Sequence, residues 1–573
     1  MKKIALLILY LIPVALLIWF VASFSVNVPV HDQWRLVNLF DKIAGGNVSF
    51  GEFWALHSNH RIIFPKIIIS ILAFSSQWNI NYELILSIFF AIASFILIYK
   101  LSANQVRNKG DNLFHLTNIL TGFWVFALVQ HENWLWGFQL AWFLVNLCVI
   151  IAIFVLSLET IWGDSRLFIA AICCEVASFS SAQGLLSWLA LIPVVIAVKG
   201  EFLQIRKRLG LWIFLFLLTA ALYSIDYHPK REMSMISLWE KPLVVVNYFF
   251  NILGSPIVRY PGFSGVLGLV ILLVFLFFLF YFYSKNVAIQ EQAAPWLSLG
   301  FFSVLSAVFI TVGRARFGAN HAIDSSRYTT VSICLLIAIL QLCLLFIRSD
   351  SQEKKFISKL VYRFFAGVLI CVIWVNSQQA IAQAKSALVY RKSAGDCLEL
   401  IHYLDGNFFD NSPDSCLWVM TEKTQVVREG AEVLDRLGFR KIAGNIAFID
   451  RPNTVYGYLD NPQLTTKSLI VKKGDSLRVS GWAIFPDSQK QPNIVLLSYG
   501  KNQSFFANAY VNLDSDDVAK ALKSDKYNQA RWGVTFSANF LPIGETIINV
   551  WVYNPSDRLF VKLDGGAKVT VEK

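Results

Sequence analysis

What most limits the fold of this chain is a series of long apolar runs separated by short polar loops, repeated from residue 4 to about residue 378. About 20 apolar residues in a helix cross the roughly 30 Å of a bilayer's hydrocarbon. Helices satisfy their own backbone polar groups there, as irregular chain cannot. Runs of this kind predict eleven membrane-spanning helices, at 4–24, 83–101, 113–130, 139–158, 166–181, 185–199, 210–226, 264–284, 295–313, 329–348 and 363–378. Composition agrees: 56% of the 573 residues are hydrophobic and only 15% are charged, a combination rare in soluble proteins. The formal charge of +12 invites a nucleic-acid reading, but the basic residues cluster in short loops, where they orient helices instead.

With Met1-Lys2-Lys3 inside, the inner loops hold Lys100, Arg107, Lys109, Arg166, Lys199, Arg206, Lys207, Arg208, Lys285, Arg348, Lys354, Lys355, Lys359 and Arg363. They are about threefold denser in basic residues than the outer loops, as the positive-inside rule requires. An odd number of spans then puts the C-terminus outside. The first run fits a signal peptide or a retained anchor, and its length of about 20 residues favours the anchor. Residues 351–362 are expected to lie along the inner surface ahead of the last span.

The composition changes after residue 378. The expected architecture is an α-helical polytopic membrane domain over 1–378, a small α/β segment over 379–450 and a β-sandwich over 451–573, the last two on the outer face. Six short alternating segments (SLRVSGWAIF, NIVLLSYG, SFFANAYVNL, WGVTFSANF, TIINVWVYN and AKVTVEK) read as the strands of the sandwich. Six of the eight cysteines lie in apolar runs as small core residues. Cys397 and Cys416 lie beyond them and would pair or remain free according to the compartment. No cysteine or histidine spacing suggests a metal site.

Polar groups without an obvious structural role fall on one predicted side. The outer loop after the first span carries His31, Asp32, Gln33 and Trp34, then His57, His60, Arg61 and Lys66. The next outer turn, QHENWLWGFQ, supplies His131, Glu132, Asn133, Trp134, Trp136 and Gln139. Gln183 follows in SSAQG, then Lys230, Arg231 and Arg259, and lastly GRARFGANHAIDSSRYTT over 313–330. Asp32 suits a general base or the ligand of a metal that neutralises phosphate charge, or alternatively a solvated loop residue or helix cap. His57, His60 and Arg61 would share one face if helical, either towards a ligand or snorkelling to lipid phosphate. Arg314, Arg316, His321 and Arg327 break the positive-inside trend. Arg327 also opens a predicted span, where the helix dipole already disfavours a cation. A bound anion removes both penalties, and arginine forks match phosphate oxygens in geometry as well as charge. The bland alternative, an Asp324–Arg327 pair, leaves Arg314 and Arg316 unexplained. Glu175, inside a predicted span, is simplest as a protonated, locally hydrogen-bonded acid.

An aspartate in HDQW just after the first span, an outer anion site, many spans and an external C-terminal domain together resemble the GT-C class of integral-membrane glycosyltransferases. That class includes protein O-mannosyltransferases, aminoarabinose transferases and bacterial serotype-converting glucosyltransferases, which use polyprenyl-phosphate-linked sugars. HSNHR, QHENWLWGFQ and SSRY are similar to features of bacterial membrane proteins of this type. The resemblance implies a hexosyltransferase of the bacterial inner membrane, with a cytoplasmic N-terminus and a periplasmic C-terminal domain. Its donor would be a polyprenyl-phosphate sugar, and its acceptor a glycan, lipid or protein. Asp32 would deprotonate the acceptor hydroxyl, and Arg314, Arg316, His321 and Arg327 would hold the donor phosphate. His31, His57, His60, Arg61, Glu132, Trp136, Gln183 and Tyr328 would line the substrate site. The class often carries a second acid in the first outer loop. In HDQW only Asp32 matches that motif and the paired acid is missing, so a divalent metal such as Mg or Mn is not indicated by the sequence.

Three rival readings stand beside it. A polymerase or ligase of lipid-linked glycans would keep the arginines essential and Asp32 less so. A transporter or flippase usually shows matching halves. A non-enzymatic glycan-binding anchor would place the activity in the outer domain alone.

Overall fold

The computed structural model describes residues 2–105, 111–158, 165–198, 201–228, 240–349, 352–460, 469–501, 504–555 and 557–573. The chain divides into two compact units. The first comprises Met1–Ser25, Ser49–Leu72 and Asn81–Ala384, and the second Val26–Val48, Ala73–Ile80 and Lys385–Lys573.

Among the described residues of the chain, eight helices are long and apolar enough to cross a membrane: Lys3–Phe24, Asn81–Asn104, Asn112–Leu135, Gly137–Leu156, Phe263–Tyr283, Val287–Phe317, Ser326–Ser349 and Ile357–Glu399. The protein is therefore a multi-pass membrane protein. These eight coincide with eight of the eleven expected spans. The expected span 166–181 falls on Ser165–Ser178, whose 14 residues reach only about 21 Å. The expected span 185–199 falls on a broken apolar segment, Ala182–Ala197, and 210–226 lies in Phe202–Ser224, which begins with Arg206, Lys207 and Arg208. The surface segment expected at 351–362 is instead the start of one uninterrupted helix, Gln352–Glu399. No proline falls within it to end a turn.

An apolar helix without a counterpart among the expected spans is Pro242–Gly254. It packs backbone to backbone on Phe263–Tyr283. A Cβ on Gly254 would lie 1.9 Å from the Ser264 carbonyl oxygen, and one on Gly268 would lie 1.9 Å from that of Phe250. Only glycine permits this approach. Within the bundle Ser326–Ser349 is the most enclosed helix, with 83% of its apolar window buried. Its Gln341 bonds Ser102 and Thr121 on neighbouring helices, and its Arg348 meets Asp111 at 3.0 Å.

The second unit is built on a ten-stranded sheet of β1 (Ala447–Ile449), β2 (Gly457–Leu459), β3 (Leu469–Lys472), β4 (Ser476–Ala483), β5 (Ile494–Tyr499), β6 (Ala507–Leu513), β7 (Arg531–Ser537), β8 (Gly544–Asn554), β9 (Leu559–Lys562) and β10 (Ala567–Glu572). All six expected strand segments are present. On β4 the buried residues Leu477, Val479 and Ala483 alternate with more exposed ones, the period of a strand with one covered face. Hydrogen bonding runs on continuously through β6. β6 pairs with β5 through Ala507 to Tyr510 and with β7 from Val511 onward, across a register shift between Val511 and Leu513. A bulge of this kind bends a strand so that it passes from one layer to the next.

The segment 26–48 is integral to this unit. Helix Thr424–Arg436 buries Val427, Gly430, Ala431 and Leu434, a stripe at helical spacing, and it packs on Val37–Ala44. Trp34 is 2% exposed. It lies over Gly430, where an added Cβ would come within 2.9 Å of its ring. Arg436 pairs with Asp41 at 2.6 Å, and Arg440 donates to Asn27 and to the Trp78 carbonyl. Cys397 and Cys416 form a disulfide.

Candidate functional site

In the first unit the chain reverses between two apolar helices. Val287–Arg314 ends in a turn at Ala315–Phe317, and Gly318, at φ +91°, sends the chain back. That backbone region is open to glycine and strained for other residues. The single turn His321–Asp324 and the turn Ser326–Tyr328 then lead into Thr329–Ser349. This short return gathers most of the polar side chains expected at the anion site.

Arg327 sits with its guanidinium carbon 5.0 Å over the Tyr328 ring, and its Nη1 lies 3.8 Å from Glu132 Oε2. The same carboxylate oxygen accepts the Arg327 backbone N–H at 2.9 Å. Glu132 donates its own N–H to Ser326 Oγ, and Asn133 Nδ2 donates to the Arg327 carbonyl. The turn at His131–Leu135 is thereby fastened to the start of the next apolar helix. Glu132 meets Arg327 loosely and leaves part of the cation's hydrogen-bonding capacity open to a ligand.

The His321 ring lies beside these groups. Its Nδ1 is 2.9 Å from the Tyr248 hydroxyl and its Nε2 is 3.3 Å from Ser325 Oγ. Phe317, Tyr248 and Tyr328 surround it at ring distances of 5.1, 6.1 and 5.9 Å. Burial holds its pKa below that of a free histidine, and the charges of Arg327 and Arg314 push it further down against Asp324 and Glu132. Arg314 and Arg316 both lie over Phe317, at 5.9 and 4.8 Å. Arg259 donates to the carbonyls of Ile323 and Asp324 and so braces the loop from outside. The arrangement concentrates cationic and hydroxyl donors at the ends of apolar helices, which suits a tetrahedral oxyanion carried on an apolar group.

Other expected site residues of this unit lie in different settings. His57 and His60 exchange backbone hydrogen bonds at 2.8 and 3.1 Å, with Ser58 at φ +57° between them. They form a tight turn and not a helical face. Arg61 is 1% exposed. Its guanidinium is used by the carbonyls of Tyr223, Trp54 and Ile225, and it lies 4.5 Å over the Trp54 ring. It ties the chain near Trp54 to the end of helix Phe202–Ser224. Lys66 does similar work on the carbonyls of Glu52, Phe53 and Ala55. Trp136 stacks on Phe138, which also meets His57 at 5.0 Å. Gln139 Oε1 and Gln183 Nε2 are buried without hydrogen-bond partners among the described residues. Lys230 and Arg231 lie outside the described residues.

His31 and Asp32 belong to the second unit. His31 takes φ +52°, an unusual value for a residue with a side chain, and donates its N–H to the Met420 carbonyl. Asp32 opens outward, with 38% of its side chain exposed, and meets Arg35 at 3.4 Å. Among the described residues no group of three or more His, Cys, Asp and Glu side chains is placed to hold a metal.

Tyr248 and Ser325 are site residues that the sequence did not single out. Tyr248 is hidden in a 13-residue apolar helix where a tyrosine looks like any core aromatic. The serine pair before Arg327 was visible only as part of SSRY. Comparison of the chain with protein-family models and with curated proteins gives no match.

Proposed function

We propose that this protein is a membrane glycosyltransferase of GT-C type, moving a sugar from a polyprenyl-phosphate donor to an acceptor by inverting displacement. The observation that carries the reading is the gathering of Arg314, His321, Arg327 and Tyr328 at the ends of two apolar helices, beside Tyr248 from the middle of a third. A lipid phosphate would be met there by guanidinium groups while its prenyl chain stays among apolar side chains. The departing phosphate gains charge as the glycosidic bond breaks, and fixed cations stabilise that charge best. The GT-C resemblance implies Asp32, in the second unit, as the group that takes the proton from the acceptor hydroxyl.

Chain parity supports the orientation this mechanism needs. Residues 26–48 and 385–573 belong to one compact unit, so the chain between them crosses the membrane an even number of times. Seven of the long apolar helices begin between them. The region 157–262 must then supply an odd number of crossings. Phe202–Ser224 alone satisfies this, as it does together with Ser165–Ser178 and Ala182–Ala197, which gives the eleven spans of the GT-C-like reading. Loop charge supports an N-terminus inside and, on this reading, a second unit outside. The Cys397–Cys416 disulfide fits an oxidising compartment. On this reading the sheet unit guides the acceptor glycan.

The test uses membranes containing the full chain and a radiolabelled polyprenyl-phosphate hexose, and follows release of polyprenyl phosphate. Asp32→Asn should abolish release with donor binding retained. Arg327→Ala should raise the donor requirement roughly 10- to 100-fold, the worth of a charge-assisted hydrogen bond. A second reading, ligation of lipid-linked glycans, is favoured by the outward-turned Asp32–Arg35 pair. It predicts loss with Arg327→Ala and normal turnover with Asp32→Asn.

A further inference from the structure

His321 is held in a way that a purely structural histidine does not need. Four charged side chains act on its ring electrostatically: Arg314 from the end of Val287–Arg314, Arg327 and Asp324 from its own loop, and Glu132 from His131–Leu135. Tyr248 faces it from Pro242–Gly254, and Tyr328 and Phe317 enclose it. Arg316 lies 4.8 Å over Phe317, and Arg259 donates to the Ile323 and Asp324 carbonyls and to Gln383 and interacts with the Glu132 and Asp324 carboxylates. Two arginines thus oppose two carboxylates around a half-buried imidazole, which is itself hydrogen-bonded through both nitrogens.

We propose that His321 takes up a proton when an oxyanion binds between Arg314 and Arg327, so that the site binds its ligand and a proton together. This rests on the anion site of the proposed function and adds how that site responds to pH. A neutral imidazole has one N–H. When the Tyr248 hydroxyl donates to Nδ1, Nε2 carries the hydrogen and donates to Ser325; when Nδ1 carries it, Tyr248 accepts and Ser325 donates to Nε2. A protonated ring donates through both nitrogens. Tyr248 then accepts, and its own O–H is freed to turn to another acceptor.

In the empty site burial and the two guanidinium groups oppose protonation, which is why the ring titrates below its ordinary range. An anion within about 4–6 Å reverses the balance and favours the charged ring by roughly 1–3 pK units. Linkage fixes the sign. Between the lowered pKa of the empty site and the raised pKa of the occupied one, binding takes up a proton, and affinity falls by up to about tenfold for each unit of rising pH. Above the occupied-site pKa affinity is low and flat, and below the empty-site pKa it is high and flat.

The experiment is calorimetry on the full chain in detergent. One probe is sulfate, whose charge is constant from pH 6 to 8. The other is farnesyl phosphoglucose, a phosphodiester with one fixed charge. Titration at pH 7 in two buffers of different ionisation heat should show net proton uptake with both probes, and affinity should fall about tenfold or more from pH 6 to pH 8. His321→Gln keeps hydrogen-bonding atoms but cannot gain a charge, so its uptake should vanish and its affinity become independent of pH. The native chain gives the uptake result even where the variant fails to fold. Anion binding that Arg327→Ala weakens but that takes up no proton would overturn the proposal and leave the anion site standing. Uptake persisting in His321→Gln would also overturn it, by assigning the proton to another group. Binding of neither probe, or binding indifferent to Arg327→Ala, would remove the anion site itself. Uptake with sulfate alone would rule out a lipid-linked ligand as the proton-coupled one.

Discussion

Replacing Trp34 by alanine probes whether the segment 26–48 is a structural part of the second unit. The indole is 2% exposed, meets Trp78 edge to face at 6.5 Å, and donates its N–H to the Pro29 carbonyl at 2.9 Å. Removing a buried tryptophan costs about 3–5 kcal/mol, and leaving a buried carbonyl unpaired costs about 1 kcal/mol more. The expected loss of about 4–6 kcal/mol amounts to roughly a thousandfold or larger rise in the open population. Hydrogen exchange of the amides in Thr424–Arg436, measured on the full chain in detergent, reads that population directly. Gly430→Ala supplies the internal control. It gains about 1 kcal/mol in helix propensity, but its Cβ would stand 2.9 Å from the Trp34 ring, an overpacking worth about 1–3 kcal/mol. It should therefore be neutral to destabilising in the native chain and stabilising in the Trp34→Ala background. A loss of protection below tenfold, or the same sign for Gly430→Ala in both backgrounds, would refute this account of the packing.

Two further outcomes follow from the structure. Reduction, or the Cys397→Ser/Cys416→Ser pair, opens a loop of 19 residues and should cost the second unit about 3 kcal/mol; a melting midpoint unmoved by reductant would contradict this. Gly254→Ala and Gly268→Ala should each disrupt the hairpin of Pro242–Gly254 and Phe263–Tyr283, seen as lost folded yield. Gly265→Ala meets only the Asn251 side chain at 3.2 Å and should be tolerated, so equal yields for all three would argue against the tight crossing.

The long apolar helices were legible because length and hydropathy alone define them. The shorter segments were not, since 13 or 14 apolar residues suit a helix that stops inside a protein as well as one that begins a crossing. Pro242–Gly254 was missed for that reason, and Tyr248 with it. The strands were legible from alternation, whereas the passage of β6 between partners depends on a bulge at Val511/Leu513 that no periodicity marks. Glu132, Arg314, His321, Arg327 and Tyr328 stand together in the structure. Arg314, His321 and Arg327 stand out in the sequence because they break the positive-inside trend, and Arg327 also because it opens a helix, where the dipole disfavours a cation. The spacing of His57, His60 and Arg61 carried no spatial information, because Ser58 takes a left-handed backbone and makes a turn. Arg61 resembled a ligand group because a buried arginine satisfied entirely by carbonyls leaves no trace in sequence.

The interleaving of 26–48 with 385–573 also sets an order of events during synthesis. The first of these segments leaves the ribosome early and the second last, with the whole membrane region made between them. Until the C-terminal residues arrive, Trp34 and Phe40 lack the cover of the Thr424–Arg436 helix and of Phe439, and such surface invites misassembly. The entropy of closing so long a loop grows only with the logarithm of its length, so the delay is one of time more than of free energy. A chain cut short before Thr424 would therefore show its defect near its beginning, as a tryptophan left without its covering helix just beyond the first apolar helix.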